Sequence, residues 1–259
     1  MDAEEQYQKG LAVEAAAEQE EKISHQQASI LRDQAADFWK EAAEQGHAKA
    51  QYKLGFYFYT YSRKSNKDNR AFFWYSQAAE QGDADAQYEL GFLYGYGLGT
   101  LRDIRKSRCW FEKAAMQGHA GAALILGERC EEKTHNYKKA ADWYMKAAQY
   151  AQCPISAEFH LGTLYEKKLN DPLKAAAWYR KAAEHGFDSA QLDGGVLLGA
   201  QAAFNLGAIY ELSLNDFDQA VEWYRKAAEH GSSDAEAWMN AHGLATSDRL
   251  TIPPPSSGF

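Results

Sequence analysis

"WYRKAAEHG" occupies residues 178–186, and the same nine letters return at 223–231. An identity of this length within 259 residues is either a duplicated site or a structural unit used repeatedly. Laying the chain on itself, anchored on the alanine pair, decides between the two. Looser copies stand at 38–46 (FWKEAAEQG), 74–82 (WYSQAAEQG), 110–118 (WFEKAAMQG) and 143–151 (WYMKAAQYA). Their leading aromatics, Phe38, Trp74, Trp110, Trp143, Trp178 and Trp223, are spaced by 36, 36, 33, 35 and 45 residues. A second series runs between them: AQYKLG (50–55), AQYELG (86–91), AALILG (122–127), AEFHLG (157–162) and AAFNLG (202–207). A period of this size marks an array of two-part units, none able to bury its apolar face alone.

Both parts read as helices. The second is rich in Ala, Lys and Arg, contains no Gly or Pro, and repeats its apolar positions at three and four residues. Gly46, Gly82, Gly118, Gly186 and Gly231 follow it, where a left-handed residue is expected to stop the helix. The first part carries a glycine in its middle, which costs about 1 kcal/mol relative to Ala. Its recurrence therefore needs a packing reason: a ring from the neighbouring helix sitting where no Cβ intrudes. The recurrent Trp is the expected ring.

The spaced pattern Ala86, Leu90, Gly91, Tyr94, Gly97, Gly99, Asp103, Lys106, Trp110, Ala114, Ala115, Gly118 resembles the Sel-one-like repeat, a relative of the tetratricopeptide repeat. The resemblance implies an all-α fold: a right-handed α-solenoid of stacked antiparallel helix pairs whose first helices line a concave face. About five full repeats are expected, at 47–82, 83–118, 119–151, 152–186 and 187–231, after a half-copy at 28–46. Residues 1–27, with Glu4, Glu5, Glu14, Glu18, Glu20 and Glu21, are expected to form a polar capping helix, and 233–242 the first helix of a truncated last unit. The Pro/Ser-rich stretch 247–259 reads as a flexible tail beyond a solenoid ending near 246.

One irregularity lies at 187–200, where there are twelve residues more than the pattern requires. At about 100° per residue they rotate the following apolar stripe by about 120°, so a break near Gly194-Gly195 is expected. Asp193, Val196 and Leu197 would then project as a partner-contacting insertion.

Composition narrows the function. The net charge is −8, which argues against a phosphate-binding surface and hence against nucleic acid. No apolar run approaches the length that spans a bilayer, and "MDAEEQYQKG" lacks the features of a signal peptide. The expected location is cytoplasmic, or periplasmic if a signal peptide has been removed. Cys109, Cys130 and Cys153 form no disulfide framework.

Candidate chemistry is sparse. "GYGLG" (95–99) lacks the strand and the Lys-Ser/Thr of a phosphate loop and coincides with an interhelical turn. His47, His119, His185 and His230 recur at helix ends, where interaction with the helix dipole explains them better than a metal does. No catalytic residue, metal site or cofactor is expected, and the chain does not read as an enzyme. Arg63, Lys64, Lys67 and Arg70, with Arg102, Arg105, Lys106 and Arg108, fall at equivalent turns and would make a positive edge.

The concave face can be counted from the central glycine of each first helix. Positions −6, −2, +1 and +5 share one face by the three/four rule. They give Lys49, Lys53, Phe56 and Thr60, then Asp85, Glu89, Phe92 and Tyr96, with Ile125, Glu128, His160 and Asn205 in later units. The expected partner-binding set is Lys53, Phe56, Glu89, Phe92, Tyr96, Ile125, Glu128, His160 and Asn205, with aromatic rings as anchors. These residues point to a non-catalytic scaffold for another protein. The resemblance implies adaptor, regulatory or toxin-neutralising (immunity) roles, with a signalling enzyme or a secreted toxin as partner. The alternative is a self-assembling subunit of a larger complex.

Overall fold

The computed structural model describes residues 2–20, 24–62, 66–151, 154–188 and 193–244. Among them are thirteen α-helices and no strand. In order these are α1 (Ala3–Glu20), α2 (His25–Glu44), α3 (Ala48–Thr60), α4 (Lys67–Glu80), α5 (Ala84–Tyr96), α6 (Ile104–Met116) and α7 (Ala120–Thr134). There follow α8 (Tyr137–Tyr150), α9 (Ile155–Lys167), α10 (Pro172–Asp188), α11 (Asp193–Leu212), α12 (Phe217–Glu229) and α13 (Ser233–Ala241). Successive helices joined by short connections pack as antiparallel pairs, the architecture of an α-solenoid. The chain divides into two compact units, Met1–Leu126 and Gly127–Phe259, with the division inside α7. Leu54, Phe58, Tyr75, Leu90 and Leu93 anchor the core of the first. Ile155, Tyr179, Leu206, Ile209 and Trp223 anchor that of the second.

A ring does cover each central glycine, but it is not the tryptophan. A Cβ added at Gly55, Gly91, Gly127, Gly162 or Gly207 would fall 2.7, 2.9, 2.5, 2.5 or 2.8 Å from Tyr75, Phe111, Tyr144, Tyr179 or Tyr224. Each ring follows the Trp by one residue, as Tyr in four repeats and as Phe111 in the one after Trp110. Register is the reason. Tyr75 is four residues after buried Ala71 and three and four before buried Ala78 and Ala79, so it lies on the alanine stripe. Trp74 is turned about 100° away. The tryptophans instead lie under the alkyl-ammonium arm three residues on: Lys113 over Trp110, Lys146 over Trp143, Lys181 over Trp178 and Lys226 over Trp223.

The same contact appears before the first expected full repeat. Gly10 of α1 meets Trp39 of α2, the residue in the Tyr75 register. Gln6 is buried and donates to Glu41. The helix expected to be a polar cap therefore packs as a first helix.

Gly46, Gly82, Gly118 and Gly231 stop their helices with φ of 89°, 99°, 91° and 88°. Gly186 does not. It is buried within α10, and its Cβ site lies 2.5 Å from the Cα of Gly199 in α11. At the expected break, Gly194 and Gly195 lie inside α11, which runs unbroken from Asp193 to Leu212, while residues 189–192 before it lie outside the described residues. The extra residues lengthen both helices of this pair, which close on the glycine contact. Ala190 and the tail at 247–259 lie outside the described residues.

Two of the four recurrent histidines have a different task from the one expected. His47 and His119 precede α3 and α7, and each accepts the N–H three residues on through Nδ1, at 3.1 Å. Asp83 does the same for α5 with a carboxylate. His47 and His119 thus act at helix N-termini, as hydrogen-bond acceptors. His185 lies in the last turn of α10, and His230 ends α12 with its Nδ1 bonded to the Lys226 carbonyl at 2.8 Å, the C-terminal place expected.

Candidate interaction face

In four repeats the residue two before the central glycine stands toward the ring of the preceding repeat. The Lys53 ammonium lies 5.5 Å from the Trp39 ring centroid. The His160 ring stacks on Tyr144 at 5.1 Å and 16°. The Asn205 side chain faces the Tyr179 hydroxyl and favours its ionised form. Glu89 holds this place toward Tyr75, whose hydroxyl feels its charge. Ile125 occupies it in α7, half-buried. One repeated packing site thus presents a different chemical group in each repeat, which is how a fixed scaffold acquires a specific surface.

In the first unit the aromatic members are partly scaffold and partly surface. The Phe92 ring packs edge-on to Tyr88 and Phe111, with centroids 4.9 and 5.2 Å away. Its other side carries Tyr96, nearly parallel at 6.1 Å and 71% exposed. Phe56 is half-buried and meets Tyr61 edge-on at 6.0 Å. Tyr59 and Tyr61 are exposed as well. Counting by threes and fours missed both, since Tyr59 falls off the chosen stripe and Tyr61 caps the helix end.

Charges on this face are selectively paired. Lys53 bonds Glu14 of α1 at 2.6 Å. Asp85 faces the His119 ring at 3.5 Å. Glu89 forms no hydrogen bond or ion pair with any described residue. Burial, with Asp85 one turn earlier, pushes its carboxyl up to about 7. In the second unit Glu128 faces His160 at 3.8 Å, and Gln201 donates to Asn205 at 3.2 Å.

The ring hydroxyls extend the pattern. Tyr144 donates to Glu131 at 3.0 Å, Tyr179 to Glu166 at 2.7 Å, and Tyr224 to Glu211 at 2.8 Å. Each acceptor lies four residues after the central glycine. Tyr59 stands at that position in α3. The Tyr75 hydroxyl, on a fully buried side chain, has no hydrogen-bond partner among the described residues.

Of the insertion set, Val196 is half-buried and Leu197 is 66% exposed on α11. Asp193 opens that helix, and its side chain lies outside the described residues. Of the expected positive edge, Arg63 and Lys64 lie outside them too. Arg70 and Lys106 cover the Phe58 and Tyr94 rings at 3.8 and 5.2 Å, Arg102 donates to the Gly95 carbonyl, and Arg108 pairs with Glu112. Four of the basic groups thus have local partners rather than making a free patch.

The glycines of "GYGLG" form a turn: Gly97 and Gly99 have φ of 73° and 67°, and a Cβ on Gly99 would strike the Asp68 carbonyl. Among the described residues no group of three or more His, Cys, Asp or Glu could hold a metal ion. Cys109 and Cys130 are free thiols, and Cys153 lies outside the described residues. No described helix is long and apolar enough to cross a membrane.

Comparison with known proteins agrees with this architecture. A family model for the Sel1 repeat matches residues 32–47, 48–83, 84–119, 124–149, 155–187 and 200–232. No curated protein matches the sequence. Among solved structures, a protective antigen of uropathogenic Escherichia coli strains displaying an SLR fold is 31% identical, with a TM-score of 0.62 over 83% of this chain and 46% of that one. A Sel1 repeat protein from Oxalobacter formigenes is 25% identical, with a TM-score of 0.58 over 81% and 59% of the two chains. The chain thus spans about half the length of these two relatives. An immunity protein of Pseudomonas aeruginosa, Pa5087, is 23% identical with a TM-score of 0.40, covering 73% of this chain and 67% of that one.

Proposed function

The chain belongs to the Sel1 repeat family, and from that premise we propose that it is a non-catalytic scaffold whose first-helix face binds another protein. The observation that carries this reading is the Phe92–Tyr96 stack. One ring is fixed edge-on between Tyr88 and Phe111, and the other rests on it with most of its surface in solvent. A rigid aromatic exposed in this way loses little conformational freedom on binding, which is why such rings anchor interfaces. Phe56, Tyr59 and Tyr61 widen the apolar area, and Lys53, Glu89 and Asp85 supply charges around it. Ile125 would add to this face in the first unit. In the second unit Glu128, His160 and Asn205 would form an equivalent face of their own, and Asp193, Val196 and Leu197 offer a further contact on α11.

The partner is another protein, within which a signalling enzyme and a secreted toxin are the narrower forms of this proposal. No cofactor, nucleic acid or membrane insertion enters it. The test is crosslinked capture from the source cell's soluble and envelope fractions, with wild-type protein beside Tyr96→Ala and an exposed control on a second helix, Leu173→Ala of α10. A partner held by wild type and Leu173→Ala but lost by Tyr96→Ala supports the reading. Equal retention by all three contradicts it, and moves attention to Leu197. Recovery of the chain itself as the captured species would favour the self-assembling alternative.

A further inference from the structure

Tyr75 and Glu89 form a corner that the rest of the array does not reproduce. At Tyr144, Tyr179 and Tyr224 the buried phenol donates to a glutamate on its own first helix. At Tyr75 that acceptor is missing, and the hydroxyl is buried without a partner. The next repeat contributes a carboxylate, Glu89, where others contribute Lys53, His160 or Asn205. That carboxylate also lacks a partner, although it is half-buried. Leaving a buried hydroxyl unsatisfied is costly, and the tyrosines of the later repeats avoid it. The surroundings are aromatic and acidic. Tyr52 lies beside Tyr75, with ring centroids 5.8 Å apart, and Phe92 follows Glu89 by one turn on the same helix face.

We propose that this corner receives a lysine or arginine side chain of the bound protein, its cation pairing with the Glu89 carboxylate, donating to the Tyr75 hydroxyl oxygen, and lying against the Tyr52 and Phe92 rings. The inference rests on the protein-recognition reading above and names the chemistry of one anchor. A cation answers each unmet feature: it supplies charge to the carboxylate, donors to the phenol oxygen, and a positive group for the ring faces. The nearby cation, Lys53, is held by Glu14 at 2.6 Å. The other ionisable groups acting on Glu89, or on the Tyr52 and Tyr75 beside it, are Asp85 on its own helix, with His119 against it, Asp83 before that helix, Tyr59 on α3 and Glu14 on α1, with Lys49 acting in turn on Asp83. Apart from His119, a neutral or weakly charged ring at physiological pH, the occupied Lys53, and Lys49, which acts on Asp83 and Glu4, these are acids.

The sign of the pH dependence follows. Glu89 titrates near 7, raised by burial and by Asp85. Below that pH the neutral acid must release its proton before it can pair, so affinity for a cation falls by about tenfold per pH unit below 7 and levels off above it.

The test uses the full chain labelled with carboxyl-13C glutamate and observed by NMR. The probes are N-acetyl-arginine amide and N-acetyl-lysine amide, with N-acetyl-norleucine amide as the neutral match in length. The expected result is a saturable shift of the Glu89 carboxyl and a lowered titration midpoint with both basic probes but not with norleucine. Glu89→Gln should weaken binding by about tenfold or more and flatten its pH dependence. Tyr75→Phe should weaken the basic probes while leaving the melting temperature unchanged or higher, a combination that a merely structural hydroxyl would not give. Equal response to norleucine, or a Glu89 signal indifferent to the basic probes, would overturn the proposal. A captured partner that requires Tyr96, yet binds Glu89→Gln as tightly as wild type, would remove the basic anchor and leave the recognition face standing.

Discussion

The Tyr179 ring lies flat over Gly162, so close that a Cβ on that glycine would come within 2.5 Å of the ring. Alanine is the better helix former by about 1 kcal/mol, yet Gly162→Ala must displace a fully buried ring in a packed core. The expected cost is about 1–3 kcal/mol, as for overpacked cores. Gly194, in the first turn of α11 with nothing near its Cβ site, is the control: Gly194→Ala should be neutral or stabilising. Urea unfolding of the two variants separates packing from propensity.

Tyr179 and Tyr75 occupy the same place in different repeats, and only one has partners. Tyr179→Phe strips a hydroxyl that bonds Glu166 at 2.7 Å and Thr163 at 3.2 Å, and should cost about 1–2 kcal/mol. Tyr75→Phe removes a hydroxyl that bonds nothing described and should cost nothing or stabilise. Thermal melts of both variants check the contrast, and an equal loss in both would contradict it.

His119 caps α7 by accepting at Nδ1, which requires an unprotonated nitrogen. Burial holds its pKa below the usual histidine value, with Asp85 opposing. A base with a depressed folded pKa takes up its proton more readily when unfolded. The capping stability is therefore fully present above about 6.5 and is lost as pH falls through that value toward the folded pKa. His119→Asp copies Asp83 and should shift this loss to the carboxylate range. Urea midpoints at pH 7 and pH 5.5 should fall less in the variant than in wild type.

Two repeats join their helices through paired amides, Gln81 to Gln51 and Gln117 to Gln87, at 2.7 and 2.8 Å. The repeat formed by α9 and α10 puts Glu158 and His185 in the same places, 2.7 Å apart, with the carboxylate buried. His185→Gln and Glu158→Gln should each destabilise alone, while the double variant, matching the amide pairs, should recover part of the loss. A coupling of about 0.5–3 kcal/mol is expected from the cycle. Strict additivity would show that the two sites do not interact.

The repeat was legible because its packing rules recur in letters: a glycine beneath a ring, alanines on the stripe, a glycine after the helix. The ring's identity was not. Trp and Tyr are adjacent and both aromatic, and only the angular register with Ala71 and Ala78 tells them apart. The role of α1 was readable in Gln6-Tyr7-x-x-Gly10, which parallels Gln51-Tyr52-x-x-Gly55, but Lys9 replaces the leucine that precedes the glycine elsewhere and disguises the copy. Gly186 shows the converse: the letters of a helix stop, placed where the next helix also offers a glycine, become a contact between backbones. The face positions came from angular counting alone. The unmet Tyr75 hydroxyl did not, because it depends on Tyr59 standing where later repeats have Glu131, Glu166 and Glu211.

The most direct measurement of the central claim is the dissociation constant of the captured partner for wild type, Tyr96→Ala and Leu173→Ala, each first matched for melting temperature. Both replaced side chains are largely exposed, so neither change should disturb the core. A loss of about tenfold or more for Tyr96→Ala alone, the scale of a removed aromatic anchor, is the predicted result. Equal affinity for all three proteins would contradict the account and show that the partner is recognised elsewhere on the chain.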